Sequence, residues 1–149
     1  MRKPTICLFL ILCSLAAFGQ KQPQWKVVKH LIRTNQLSQI PETAIFTPTK
    51  PGLYRLSAYL SVADALYVVR NLQFNWTDAA GEPANVSINA TNSKCSATYC
   101  SFSNINSYVF IPQAGIPVSY LVYSEGNLAI PFLPPGSYNI AFTIEQLQK

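Results

Sequence analysis

From Gly52 onward apolar and polar residues alternate with a period of two. Tyr54, Leu56, Ala58, Leu60 and Val62 stand against Arg55, Ser57, Tyr59 and Ser61. In a strand that period sends one set to each face, so the stretch predicts a half-buried strand. Val86, Ile88 and Ala90 repeat the pattern against Asn85, Ser87, Asn89 and Thr91. Tyr138, Ile140, Phe142 and Ile144 repeat it against Asn139, Thr143 and Glu145. Residues 66–77, 105–111, 116–123 and 128–133 add runs rich in β-branched and aromatic side chains, which also predict strands. Turn signals separate these runs: Pro51-Gly52, Ala80-Gly81-Glu82-Pro83, Gln113-Ala114-Gly115, Glu125-Gly126-Asn127 and Pro134-Pro135-Gly136. Pro112, Pro117 and Pro131 fall within or beside apolar runs, where each would break a helix and favours an edge or a bend.

One segment, 25–37, fits helical and strand spacing equally through Trp25, Val27, Val28, Leu31, Ile32 and Leu37. The β-branched pair Val27-Val28 favours a strand there. Eight or nine strands at regular spacing, with no helical insertion, predict an all-β antiparallel sandwich or barrel. With no repeat and no linker, a single domain is expected over 20–149. The last strand is expected to lie inside a sheet or under another subunit, because an open edge there invites aggregation.

The first 19 residues stand apart. Arg2 and Lys3 precede an apolar run at 6–18, and Ala17 and Gly19 place small residues before a cut at Gln20. That combination predicts a cleavable signal peptide over 1–19, hence a secreted, periplasmic or extracellular location. The run is shorter than the roughly 18 to 20 residues of a membrane span, so no stable span is expected after cleavage. A lipid anchor on Cys13 would want a small residue before it, and Leu12 is bulky.

Removal of the signal changes the cysteine and charge arithmetic. Cys7 and Cys13 leave with it, and Cys95 and Cys100 remain as a pair around a four-residue loop. In an oxidising compartment such a pair predicts a disulfide, of roughly 2 kcal/mol for so short a loop. Without Arg2 and Lys3, nine of the 11 basic residues stand against six acids, a net charge of +3. Those bases are scattered rather than clustered, which argues against a nucleic-acid partner.

The segment Phe46-Thr47-Pro48-Thr49-Lys50-Pro51-Gly52-Leu53-Tyr54-Arg55-Leu56 resembles a turn-to-strand motif of the complement and tumour-necrosis-factor-like jelly rolls. Phe46, Pro51, Gly52 and Tyr54 carry the likeness, and Leu56 replaces the usual aromatic. The motif suggests that Gly52 permits a tight turn, Phe46 packs over it, and Tyr54 begins the inward stripe. The closing strand departs from the family, with Ser137-Tyr138-Asn139-Ile140-Ala141-Phe142 in place of its usual sequence. The chain, with Asn75-Trp76-Thr77-Asp78-Ala79 after a long strand, is also similar to poorly characterised exported bacterial β-proteins. The resemblance implies a jelly-roll sandwich and a homotrimer, and carries no activity with it.

Candidate chemistry is thin. His30 is the sole histidine and stands near Lys29 and Arg33, with no Gly-x-Ser-x-Gly elbow anywhere to supply a nucleophile. No catalytic residue and no cofactor is therefore expected. Asp78 and Glu82 share one turn and are the best carboxylate pair, but two carboxylates fall short of the 6 to 8 oxygens of a calcium site. No metal is expected. Tyr99, on the cysteine loop, is the best exposed aromatic for a sugar face. Asn75, Asn85 and Asn89 head Asn-x-Ser/Thr triplets, which short polar strands produce by chance. The leading expectation is an exported, non-enzymatic structural or binding module that self-associates, with an extracellular protein or glycan as ligand. The alternative is a carbohydrate-binding module, or a weak glycan-active enzyme, built on Asp78, Glu82 and Tyr99.

Overall fold

The computed structural model describes residues 23–63, 69–89, 92–95, 100–125 and 137–148. Its strands are β1 (Gln24–Gln36), β2 (Ile40–Phe46), β3 (Tyr54–Ala63), β4 (Val69–Thr77), β5 (Pro83–Asn89), β6 (Asn92–Cys95), β7 (Cys100–Phe110), β8 (Val118–Glu125) and β9 (Tyr138–Gln148). Among the described residues there is no helix, and 25–37 is strand over nearly its whole length, as its β-branched residues favour.

Two antiparallel sheets face each other. One has the order β1-β9-β3-β7-β6, the other β2-β8-β4-β5. The period-two stripes meet between them. Tyr54, Leu56, Ala58, Leu60 and Val62 of β3 and Tyr138, Ile140, Phe142 and Ile144 of β9 are all buried, opposite Leu72, Phe74, Val118, Tyr120 and Val122 of the second sheet. Phe142 sits at the centre, 5.2 Å from Phe74 at 90° and 5.2 Å from Tyr120 at 61°. Edge-to-face packing of this kind adds to the burial of the rings themselves. A second aromatic group closes one end, where Tyr54 lies 5.6 Å from Phe46 and 5.9 Å from Phe110, and Phe110 lies 5.0 Å from Trp76.

β9 lies inside its sheet, between β1 and β3. One edge of the sheet is β1, and it carries Lys26 as well as Lys29 and Arg33, which pair with the inward positions Ile144 and Ile140. Bulges fall between Val27 and Lys29 and between Arg33 and Gln36, where Asn35 takes a φ of 53°. Charge on the core-facing side and bulges both discourage edge-to-edge pairing.

Two strands do not show in the hydrophobic pattern. β2 holds Pro41 and two register shifts against β8, so its alternation is broken; a proline is tolerated there because β2 is an edge. β6 is four residues long and polar apart from Cys95. The predicted strand at 128–133 lies outside the described residues, as does the signal segment 1–19.

Phe46 and Tyr54 pack as the motif suggests, and the Tyr54 hydroxyl donates to the Lys50 carbonyl at 3.3 Å. The backbone does not give Gly52 the role expected of it. Among the described residues the left-handed glycines are Gly81 (φ 91°) and Gly115 (φ 82°), not Gly52. A Cβ on Gly52 would stand 3.3 Å from the side-chain amide nitrogen of Gln146, the movable end of a partly exposed side chain. The turns at 78–82 and 113–115 are tied together by Gln113 N donating to Thr77 O at 2.8 Å and Ala79 N to Ile111 O at 3.0 Å.

Candidate functional site

Both sheets turn one face to the core and one outward, and the outward faces differ in chemistry. On the five-stranded sheet, register assembles side chains into rows. Ile32 pairs with Ala141, Ala141 with Tyr59, and Tyr59 with Ile105, giving one apolar row across four strands. Ile32 is 61 % exposed, Ile105 74 % and Tyr59 38 %. The next row is polar: His30 Nδ1 lies 2.9 Å from the Thr143 hydroxyl, and the hydroxyls of Ser57 and Ser107 are 3.2 Å apart. Beyond it Val27 pairs with Glu145, Glu145 with Arg55, and Arg55 with Val109. Arg55 donates to Glu145 at 2.7 Å and lies over the Trp25 ring at 4.6 Å from its centroid. The charged pair thus lies between two exposed valines.

The four-stranded sheet carries a hydrogen-bonded polar network instead. Glu42 Oε1 accepts from the Ser119 hydroxyl at 2.5 Å and from Asn75 Nδ2 at 2.9 Å. Gln73 Nε2 donates to Asn75 Oδ1 at 2.7 Å, which fixes the way the Asn75 amide points. The Ser119 hydroxyl, and after it the Asn75 amide, hold the Glu42 carboxyl below the usual carboxylate range. Glu42, Asn75 and Ser119, with Pro83, Asn85 and Pro117, line an open cavity of about 260 Å³.

Sequence reasoning missed this cavity. Glu42 lies on the strand whose alternation is broken, and Asn75 stands out in the sequence as the head of an Asn-Trp-Thr triplet, not as a partner of Glu42. Nothing local signals that Glu42, Asn75 and Ser119 converge; β2-β8 and β8-β4 pairing does it, with Asn75 directly opposite Ser119 and Ala44 opposite Ser119 on the other side.

Of the carboxylates expected to form a site, Asp78 and Glu82 do share one turn. Asp78 Oδ1 accepts from the backbone N–H of Ala80 at 2.8 Å and of Glu82 at 3.0 Å, and Asp78 N donates to Glu82 O at 2.8 Å. That oxygen is engaged in closing its own turn. Tyr99 lies outside the described residues. The backbone register sets Cys95 directly opposite Cys100 at the end of the β6-β7 pair, while the loop between them lies outside the described residues. Among the described residues no group of three His, Cys, Asp or Glu could hold a metal ion, and no helix is long and apolar enough to cross a membrane.

One buried cation lies between the sheets. Arg70 is 4 % exposed, donates to the Ser124 hydroxyl at 2.6 Å and the Leu37 carbonyl at 3.3 Å, and stands 5.2 Å over the Tyr138 ring. Burial pulls its pKa down, and burial pushes the hydroxyls of Tyr138 and Tyr120 up. Arg70 Nε, the Asn71 amide and the Tyr120 hydroxyl have no hydrogen-bond partner among the described residues. Comparison of the chain with protein-family profiles and with curated proteins finds no match.

Proposed function

We propose that this chain is an exported, non-enzymatic jelly-roll module that self-associates through the outward face of its five-stranded sheet. The observation that carries the reading is the apolar row Ile32, Ala141, Tyr59 and Ile105, which crosses four strands on the outward face. Exposed apolar residues scattered singly need no explanation, but a contiguous patch marks an interaction surface. Four strands at about 4.8 Å spacing and eight residues at about 3.4 Å make a face of roughly 500 Å² in projection. The charges and bulges of β1 disfavour association through that edge.

The jelly-roll reading draws support from nested pairing. β1 pairs with β9, β2 with β8, β3 with β7 and β4 with β5, the order produced when one long two-stranded ribbon folds over on itself. β6 is then a short addition at the β7 edge. Export is supported by the charged, apolar and small-residue order of 1–19, and the disulfide by the facing positions of Cys95 and Cys100. Directly opposed Cα atoms in an antiparallel pair lie about 4.5 to 5.5 Å apart, inside the range a disulfide spans. The resemblance to the complement and tumour-necrosis-factor-like jelly rolls makes the assembly a trimer.

Sedimentation equilibrium of the exported protein at micromolar concentration tests this reading. A trimer is expected. A monomer overturns self-association, and a dimer overturns the trimer.

A further inference from the structure

The geometry points to the cavity beside Glu42 as a binding site for one uncharged, hydroxyl-rich unit, such as a monosaccharide residue of a glycan. This rests on the reading of the domain as an exported binding module, but it uses the sheet face opposite to the one assigned to self-association. It also moves any sugar site away from Asp78, Glu82 and Tyr99.

Size sets the first constraint. Sites for drug-sized ligands run from about 300 Å³ upward, so a cavity of about 260 Å³ accepts a single ring rather than a chain of them. Donor chemistry sets the second. Glu42 Oε1 takes both bonds of the network, from Ser119 and from Asn75, and Oε2 has no partner among the described residues. An ionised carboxylate only accepts, and a hydroxyl donating to it makes a charge-assisted bond of roughly twice the ordinary strength. Gln73 orients Asn75, so the acceptor is held in place before any ligand arrives.

Asn85 pairs with Asn75 in the β4-β5 register, lines the same cavity and is exposed. Its amide offers both a donor and an acceptor, which suits a hydroxyl that is both. Pro83 and Pro117 supply the apolar part of the wall, matching the C–H faces of a sugar ring, while the Trp76 ring turns inward onto Phe110. Charge narrows the ligand further. The Glu42 carboxylate repels phosphate, sulfate or an acidic sugar, and one carboxylate falls far short of the oxygen set a divalent cation requires.

The test follows the side-chain amide resonances of Gln73, Asn75 and Asn85 in the isotopically labelled exported protein. Glucose, galactose and N-acetylglucosamine are titrated in turn at millimolar concentration, with galacturonate as the charged control. At least one neutral sugar is expected to give saturable shifts confined to these amides. Binding should weaken about tenfold in Glu42→Gln, the scale of one lost charge-assisted bond, and weaken also in Asn85→Ala. Galacturonate should bind more weakly than galactose. Absence of saturation with all three sugars overturns the site, as do shifts unchanged in both variants or tighter binding of galacturonate. Sedimentation of the same samples separates the two readings: a trimer that binds no sugar removes this site alone, and a monomer that binds sugar removes the self-association alone.

Discussion

The two outward faces are built on the same alternation and share one core, yet they spend their outward positions differently. The five-stranded sheet presents Ile32, Tyr59 and Ile105 to solvent in a continuous row, and holds its polar groups in pairs such as His30 with Thr143 and Arg55 with Glu145. The four-stranded sheet links Gln73, Asn75, Glu42 and Ser119 into one network beside a cavity. An apolar row gains by leaving water and suits a broad protein surface. A fixed carboxylate beside a small hollow suits a small polar ligand. The difference teaches that one alternation does two things: the inward residues make the sandwich, and the outward ones leave the two sheets with different surface chemistry.

The most disruptive way to break the comparison is to remove what both faces rest on. Phe142→Ala deletes the ring wedged between Phe74 and Tyr120 and should cost about 3 to 5 kcal/mol in urea unfolding, abolishing both faces together. Arg55→Ala acts on one face only. It removes a partly exposed ion pair and the contact with Trp25, and should cost about 1 kcal/mol in the same measurement. A cost near zero would mean that Arg55 does not stiffen its sheet.

Glu42→Gln should have the smallest effect on folding and the most specific one. The folded carboxyl is held below its ordinary value, so its contribution is complete above that value and is lost as pH falls through the lowered one. The wild type should therefore lose stability over that acid range by slightly more than Glu42→Gln does. Parallel curves would show that Ser119 and Asn75 do not stabilise the carboxylate.

The core was legible because period two survives in single strands: Tyr54 to Val62 and Tyr138 to Ile144 declare their buried sides without reference to any partner. What the outward residues do was not, because it depends on register. Ile32, Tyr59 and Ile105 are far apart in sequence and become neighbours only when Ala141 and Tyr59 pair. The Glu42 cavity was hidden for a further reason. Its carboxylate comes from β2, whose bulges and Pro41 erase the alternation that marks a strand. Asp78 and Glu82 drew notice as a carboxylate pair in a turn, and the Asp78 oxygen is engaged in closing that turn.

The central claim, that the sheets have separate tasks, is tested most directly by placing one lysine on each face and measuring assembly. Ile105 lies on the apolar row, and Ser87 is outward and exposed on β5 of the other sheet. A charge forced into an apolar interface without a partner is costly, whereas on a solvated face it changes stability by about 0.5 kcal/mol or less. In sedimentation velocity at micromolar concentration, Ile105→Lys should run as a folded monomer and Ser87→Lys as a trimer like the wild type. A trimer that survives Ile105→Lys, or one that Ser87→Lys also dissolves, would contradict the account.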